Sequence, residues 1–241
     1  MAREAKFPVG LTIACAIAFA LLCALGVWQV QRLQWKEGLI AQADRAATIP
    51  AAPFAEVEAE GLPEFRKVRL TCPGLATAPY VELQSIDPEG QPGVRLISAC
   101  RPAGGRTWLV DRGFVADMIS ARPAETADTT PVEILAEIRR APSAGAMSVP
   151  SEGRRFYARD TRAMAETLRV RGPVEPQTLF ALTSSNPEWA ALKPSAPPAA
   201  FSNNHLGYAL TWFGLALALV GFYIAVLRRR RSATNAPKDI S

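Results

Sequence analysis

Two long apolar stretches bracket a chain whose middle alternates between apolar and polar positions. The first stretch runs from Val9 to Val27 and the second from Leu206 to Leu227. At about 1.5 Å per residue, the second stretch covers about 33 Å, enough for the ~30 Å hydrocarbon layer of a membrane. A core helix of this length normally carries charge on one face, and the first stretch lacks the small-residue cleavage site of a signal peptide. The pattern therefore predicts transmembrane helices over 8–29 and 206–227.

The charges that flank these stretches predict their orientation. Residues 30–205 carry 20 acidic and 20 basic side chains, so the net charge of +5 lies at the two ends of the chain. The densest cluster, Arg228–Arg231, directly follows the second stretch. Basic clusters beside a span are retained on the cytoplasmic side, where anionic lipid attracts them. We therefore expect cytoplasmic tails at 1–7 and 228–241, an extracytoplasmic domain over 30–205, and contact of the basic tail with membrane lipid and not with nucleic acid.

Short runs with alternating apolar positions dominate the region between the spans. They are typical of β-strands and lie at 66–72, 80–84, 94–100, 107–115, 132–139 and 178–183. One helix is predicted over 161–170, with Asp160 as its N-cap. The pattern predicts an α+β domain built mainly on an antiparallel sheet.

The segments that join this domain to the spans have their own patterns. The first span is expected to continue as an amphipathic helix, because Val30, Leu33 and Ile40 recur at helical spacing. Residues 46–64, rich in alanine, proline and acidic residues, predict an irregular connector. Residues 186–201 contain several prolines and predict an extended approach to the second span.

Candidate catalytic groups are scarce. The chain has a single histidine, His205, and four cysteines without a C-x-x-C pair, which excludes a His-rich metal centre and a zinc ribbon. Nucleophile-elbow, P-loop, zincin and dinucleotide motifs are absent from the sequence. Asp111 and Arg112 are expected to stabilise a turn at the end of a strand, with Gly113 permitting a bulge. Hydrolytic and transferase activities therefore have no support in the sequence.

Cys72 and Cys100 form a candidate disulfide. Each lies at the end of a predicted strand on the expected outer side, which is oxidising in bacteria. Free buried thiols are the alternative. Cys15 and Cys23 lie in the first span and are expected to remain thiols.

Polar and aromatic residues collect at the outer end of the second span. Asn203 and Asn204 precede His205, and Tyr208 and Trp212 follow it at +3 and +7, on one helix face. An imidazole flanked by aromatic rings at membrane depth suits the iron and the apolar ring of a haem, and either asparagine is a candidate to orient the other ring nitrogen. The same residue types also collect at lipid headgroups without any cofactor. The spacing alone leaves both hypotheses open.

Small residues recur along both spans. They are Gly10, Ala14 and Ala18 in the first, and Gly214, Ala218, Gly221 and Ala225 in the second. Such spacing gives a helix a surface that allows close approach of a neighbouring helix.

Four segments of the chain resemble the surfeit locus protein one family. Residues 25–29 (LGVWQ), followed by Arg32 and Lys36, are similar to the family's L-G-x-W-Q-x-x-R-x-x-x-K signature at the first span. Residues 109–115 (LVDRGFV), 156–160 (FYARD) and 203–213 (NNHLGYALTWF) resemble its other segments, in family order and with the same two-span layout. Ala116, where the family usually has proline, and the two domain cysteines depart from the pattern.

The resemblance implies an assembly factor for haem-copper cytochrome c oxidase, not an enzyme. Such a factor would assist haem a binding and its delivery to, or stabilisation in, the catalytic subunit. The histidine of the family's N-N-H-x-x-Y-A motif corresponds to His205, which makes it the expected ligand of haem iron. Trp28, Tyr208 and Trp212 would pack on the macrocycle as cofactor-binding residues.

The resemblance also implies partners and a compartment. The partners would be cytochrome c oxidase subunits, with the catalytic subunit first, and the machinery of haem a synthesis. The short stretch before the first span leaves no room for a transit peptide, so the bacterial inner membrane is expected. The alternative function is a two-span scaffold that docks on oxidase subunits during assembly without binding haem.

Reporter fusions test the predicted orientation. A reporter active only in the cytoplasm is expected to be active when fused after Ser241, and silent when inserted near Gly90, because the domain is translocated. Neutral replacement of Arg228–Arg231 is expected to weaken retention of the C-terminus. The reverse pattern of activities would overturn the charge argument.

Overall fold

The computed structural model describes residues 8–102, 105–140, 145, 148–196 and 203–234. The chain divides into two compact units, one formed by Met1–Ala41 and Ala199–Ser241 and the other by Gln42–Pro198. The predicted tail at 1–7, the end of the basic tail from 235, and the end of the predicted extended segment, 197–202, lie outside the described residues.

Two long apolar helices form the first unit. Helix α1 spans Val9–Ala47, so the predicted span and amphipathic helix are one uninterrupted element that ends in the second unit, and helix α4 spans His205–Thr234. Both are long and apolar enough to cross a membrane. Apolar side chains point outward along them; Leu217, for example, is 72% exposed. Because water disfavours such a surface, these helices suit a lipid environment, as predicted.

One eight-stranded sheet forms the second unit. Its strands are β1 (Ala52–Pro53), β2 (Lys67–Pro73), β3 (Tyr80–Ile86), β4 (Pro92–Cys100), β5 (Thr107–Ala116), β6 (Pro131–Arg140), β7 (Arg155–Phe156) and β8 (Val174–Ala181). They lie in the order β1-β2-β6-β8-β5-β4-β3-β7. Two short helices accompany them, α2 (Phe54–Ala59) and α3 (Thr161–Thr167).

The sheet is mainly antiparallel, as predicted, and it also contains parallel pairs, so it is mixed and not purely antiparallel. Antiparallel pairs join β2 with β6, β6 with β8, β5 with β4, and β4 with β3. The central pair of β5 and β8 is parallel, as are the two-residue strands at the edges. Two antiparallel blocks therefore meet at a parallel seam, because the chain passes through β6, β7 and α3 before β8 returns alongside β5.

The sheet curls around one core. Cys72 on β2 and Cys100 on β4 form a disulfide with a Cα–Cα distance of 5.5 Å, although three strands separate β2 from β4 in the sheet. In a flat sheet, four spacings of ~4.8 Å would put these strands about 19 Å apart. The curvature encloses a cluster in which the rings of Phe54 and Trp108 meet edge to face at 5.4 Å.

A second core fills the opposite face. Leu109 and Ile97 from the sheet pack with Met164 of α3. The carboxylate of Asp160 accepts a hydrogen bond from the backbone N–H of Ala163 at 3.0 Å, which confirms the predicted N-cap. The helix ends at Thr167, three residues before its predicted end.

Asp111 and Arg112 lie inside β5, so the prediction of a turn-stabilising pair at a strand end is wrong. Between Leu96 and Ile97 of β4 the register shifts, and Arg112 is the extra residue of a bulge. The predicted bulge is therefore confirmed, with Gly113 at φ +133°. The pair is buried because β5 is an inner strand covered on both faces.

A buried ion cluster surrounds Asp111. Its carboxylate accepts hydrogen bonds from Nε of Arg95 at 2.8 and 2.9 Å and from Nη2 of Arg159 at 2.6 Å. Both guanidinium groups lie over the ring of Phe180. Arg95 also donates to the backbone carbonyl of Ser195, which ties the segment after the sheet to the same cluster.

Arg112 occupies the other face of the bulge without a carboxylate partner among the described residues. It is fully buried and donates to the hydroxyl of Ser185 at 2.9 Å and to the backbone carbonyl of Ala76 at 2.8 Å. Burial lowers the pKa of this guanidinium to about 10, although electrostatic interactions with Tyr80 and Glu125 act in the opposite direction and raise it. Neutral oxygens therefore satisfy a charge that the fold removes from water.

Two connectors differ from their predicted form. Within 46–64 the chain forms α2, because Phe54 and Val57 bury one face of a helical turn. Within 186–196 it forms turns before Lys193 pairs with Phe114 through two backbone hydrogen bonds of 2.8 and 2.9 Å. Leu192 is buried there against residues of the sheet, so this part of the approach packs on the domain.

Loss of the Asp111 charge is expected to destabilise the domain strongly. Asp111→Asn leaves two buried guanidinium groups without a counter-charge, and removing one partner of a buried pair costs about 3–5 kcal/mol. The free energy of unfolding of the full chain in detergent, from urea denaturation followed by near-UV circular dichroism, measures it.

Asp117→Asn is the matched control. Asp117 is exposed and pairs with Arg155 at 3.5 Å, so its loss is expected to cost at most about 1 kcal/mol. Equal destabilisation by the two variants would contradict the role given to the buried cluster.

The disulfide is expected to stabilise the domain by about 3–4 kcal/mol, because it closes a loop with a sequence separation of 28. Replacing Cys72 and Cys100 by alanine should lower the free energy of unfolding by that amount, whereas replacing Cys15 and Cys23 should leave the domain unchanged. Alkylation of the unfolded, unreduced protein is expected to modify Cys15 and Cys23 alone. Modification of all four cysteines would show that the bridge is absent.

Candidate functional site

The single histidine of the chain links the two long helices at one end of the pair. His205 is the first residue of α4, and its Nδ1 lies 2.7 Å from Oε1 of Gln29 on α1. Gln29 is only 9% exposed, whereas His205 is half-buried. At the other end of the pair, the hydroxyls of Thr12 and Tyr223 lie 2.6 Å apart. A hydrogen bond between side chains therefore joins the antiparallel helices near each end.

Gly26 brings the helices close together beside His205. A Cβ at Gly26 would lie 2.6 Å from the ring of Phe213, so a larger residue would force the ring or the helix to shift. Ala209 and Ala216 of α4 are both 2% exposed and lie along the same buried stripe. The small residues that the sequence indicated on α4 do not form this contact. A Cβ built at Gly214 or Gly221 would have no atom of the described chain within 4 Å, so these two glycines face open space.

The aromatic residues predicted for the site present open surface at this end. Tyr208 is 57% exposed and Trp28 is 54% exposed. Trp212 is half-buried, one turn beyond Tyr208 on α4. Within the described residues, no hydrogen bond connects any of these three side chains to His205. The imidazole is held by Gln29 instead.

Two buried polar atoms, one beside His205 in the sequence and one about two turns further along α4, have no partner in the described part of the chain. They are the side-chain oxygen of Asn203 and the indole Nε1 of Trp212. Asn203 and Asn204 were predicted to orient the imidazole, but the structure gives that contact to Gln29. An acceptor and a donor therefore remain unsatisfied on the α4 side of the site.

Positive charge lies next to this end of the helix pair. Arg32 and Lys36 follow Gln29 on α1 and act electrostatically on His205. The guanidinium of Arg32 stacks on the ring of Trp35 at 3.9 Å, which places a cation on an exposed aromatic surface. A ligand with carboxylate groups and an apolar body matches these surroundings.

His205 is the one described side chain of this site with a nitrogen that could bind a metal. Among the described residues, no group of three or more histidine, cysteine, aspartate or glutamate side chains could hold a metal ion. One imidazole with one ring nitrogen engaged by Gln29 can supply one axial ligand to a metal that a macrocycle already holds. At this site the described residues therefore offer one imidazole nitrogen and no cluster of metal ligands.

Sequence reasoning assigned no role of its own to Gln29. The residue stands in the segment LGVWQ at 25–29, but nothing in the helical pattern of α1 shows which residue of α4 it meets. The useful signal is its position: a polar amide just after the apolar stretch 9–27, three residues after a glycine. Residues three apart lie on one helix face, so Gly26 and Gln29 face α4 together.

Comparison with known proteins places the chain in a family. The profile of the SURF1 family matches residues 16–217. The SURF1-like protein of Rickettsia conorii is 29% identical over 238 residues, which cover 93% of this chain and 94% of the relative. The SURF1-like protein of Rickettsia felis is 27% identical over 227 residues, which cover 88% of this chain and 94% of the relative. Because the profile covers well over half of the chain, including the whole domain between the two long helices, the chain belongs to the SURF1 family, the surfeit locus protein one family that its sequence segments resemble.

Proposed function

We propose that this protein binds haem a at His205 and assists its delivery to, or its stabilisation in, the catalytic subunit of cytochrome c oxidase. Membership of the SURF1 family, an assembly-factor family, is consistent with a role in oxidase assembly. The observation that carries the finer proposal is the position of the only imidazole of the chain. His205 lies at the end of an apolar helix pair, held by Gln29 and accompanied by open aromatic surface.

The residues present fit a haem. When bound, the haem supplies an iron that takes an imidazole nitrogen and a flat ring that prefers apolar contact. His205 would hold the iron through its imidazole, and Trp28, Tyr208 and Trp212 would cover the ring and exclude water. The unpartnered indole Nε1 of Trp212 is a donor for a polar substituent of the ring. Arg32 would hold a propionate carboxylate as a charge-assisted pair.

The two apolar helices fit an inner-membrane protein. The orientation we propose has both termini in the cytoplasm and the sheet domain in the periplasm, because the basic cluster follows α4. The partners we propose are oxidase subunits, the catalytic subunit first, and the machinery that makes haem a. The protein is proposed to act by binding and release, without turnover chemistry.

Replacement of His205 tests the proposal. His205→Ala removes the only histidine of the chain, so no other imidazole can substitute. The haem a retained by the purified protein is expected to fall at least tenfold, measured as Soret absorbance per protein. Tyr208→Ala and Trp212→Ala are expected to lower it less, because each removes packing area and leaves the metal bond. Oxidase from such cells is expected to contain less haem a than normal.

Tyr157→Ala is the control, since it removes an exposed aromatic residue of the sheet domain. It is expected to leave haem retention unchanged. Equal haem with the same Soret maximum in the wild-type and His205→Ala proteins would refute the ligand assignment. The scaffold function would then account better for the family membership.

A further inference from the structure

We propose that Gln29 is a positioning residue that fixes the tautomer of His205. Its side-chain carbonyl holds the imidazole proton on Nδ1 and so leaves Nε2 unprotonated, with its lone pair available to iron. The inference rests on the proposed function, because it concerns how the imidazole is prepared for the haem. The tautomer is a property of the haem-free protein and is measured there.

The direction of the hydrogen bond follows from the atoms that form it. Oε1 of Gln29 lies 2.7 Å from Nδ1 of His205, within hydrogen-bond range. An amide oxygen has lone pairs and no proton, so it can only accept. With the amide oxygen facing the ring, Nδ1 carries the proton in the tautomer that we propose. A neutral imidazole has one N–H, so Nε2 is then the unprotonated nitrogen that binds metals.

The surroundings of Gln29 make this contact specific. Gln29 is 9% exposed, and Gly26 on the same face of α1 allows the helix to approach the ring of Phe213 closely. In such a weakly polar environment a hydrogen bond is stronger than in water, and an unmade one is costly. The helix packing therefore keeps the amide oxygen facing the imidazole.

A fixed ring improves a metal ligand in two ways. Metal-binding histidines generally donate their second N–H to an oxygen acceptor, which sets the tautomer and the ring orientation. Loss of such an acceptor lowers metal affinity roughly 10–100-fold. Gln29 and His205 belong to two sequence segments far apart in the chain. The amide therefore reaches the imidazole only when the two helices pair.

Nitrogen NMR of the haem-free protein tests the tautomer directly. The chain contains one histidine, so labelling with ¹⁵N-histidine reports on His205 alone. At about pH 8.5 the imidazole is neutral, and the coupling of Nε2 to Hδ2 identifies each ring nitrogen. We expect a protonated Nδ1 and an unprotonated Nε2 in the full-length protein in detergent. A protonated Nε2 in the wild-type protein would overturn the inference.

Variants separate positioning from general helix packing. Gln29→Leu removes the acceptor and is expected to shift the imidazole toward the Nε2–H form. Gln29→Glu keeps an oxygen acceptor and is expected to preserve the Nδ1–H form. Gln31→Leu, which changes an exposed glutamine on the same helix, is the control and is expected to match the wild-type spectrum.

Titration with haem a then links the tautomer to binding. Gln29→Leu is expected to weaken binding roughly 10–100-fold, whereas Gln29→Glu is expected to bind as tightly as the wild type or more tightly. Weak binding by both variants, or an unchanged tautomer in Gln29→Leu, would overturn the role of Gln29. If the wild-type protein binds no haem a, the proposed function fails, while the spectra of the haem-free proteins still decide whether Gln29 fixes the ring.

Discussion

The sheet domain depends on the compensation of one buried charge. The carboxylate of Asp111 has no exposed surface, and a lone carboxylate there would be too costly to bury. Arg95 from the neighbouring strand and Arg159 from the segment before α3 supply the opposite charge. The bulge that accommodates Arg112 also requires glycine at position 113, where a Cβ would lie 2.4 Å from the carbonyl of Lys193. Two sequence segments, LVDRGFV and FYARD, thus meet at one carboxylate, which explains why their residue types occur together.

In the helix pair, too, polar side chains in an apolar environment need partners. Two hydrogen bonds between polar side chains join its two long helices: Thr12 with Tyr223, and Gln29 with His205. Without a hydrophobic force between helices in lipid, close packing at Gly26 and these hydrogen bonds must hold the pair together. The amide and the imidazole therefore contribute to helix association as well as to the proposed ligand site.

Periodicity in the sequence predicts where the long helices and strands lie, but it does not predict how the strands pair. The apolar stretches and alternating runs placed both helices and the six long strands, because burial of one face leaves a local pattern. The parallel seam between β5 and β8 depends on how the chain crosses the sheet, which no local pattern records. The burial of Asp111 was missed because a charged residue inside a strand looks like an exposed turn until its two arginine partners are known. Gln29 was missed for the same reason: its partner is 176 positions away.

The choice of an amide at position 29 suits a protein that must release what it binds. A carboxylate acceptor would polarise the imidazole more strongly and raise the basicity of Nε2, which strengthens the bond to iron. A neutral amide sets the tautomer with less of that effect. In the proposed function, His205 would then be ready to bind a haem and yet hold it through one ligand of moderate strength. A carrier needs both properties, since a cargo held as firmly as a resident cofactor could not pass to the oxidase.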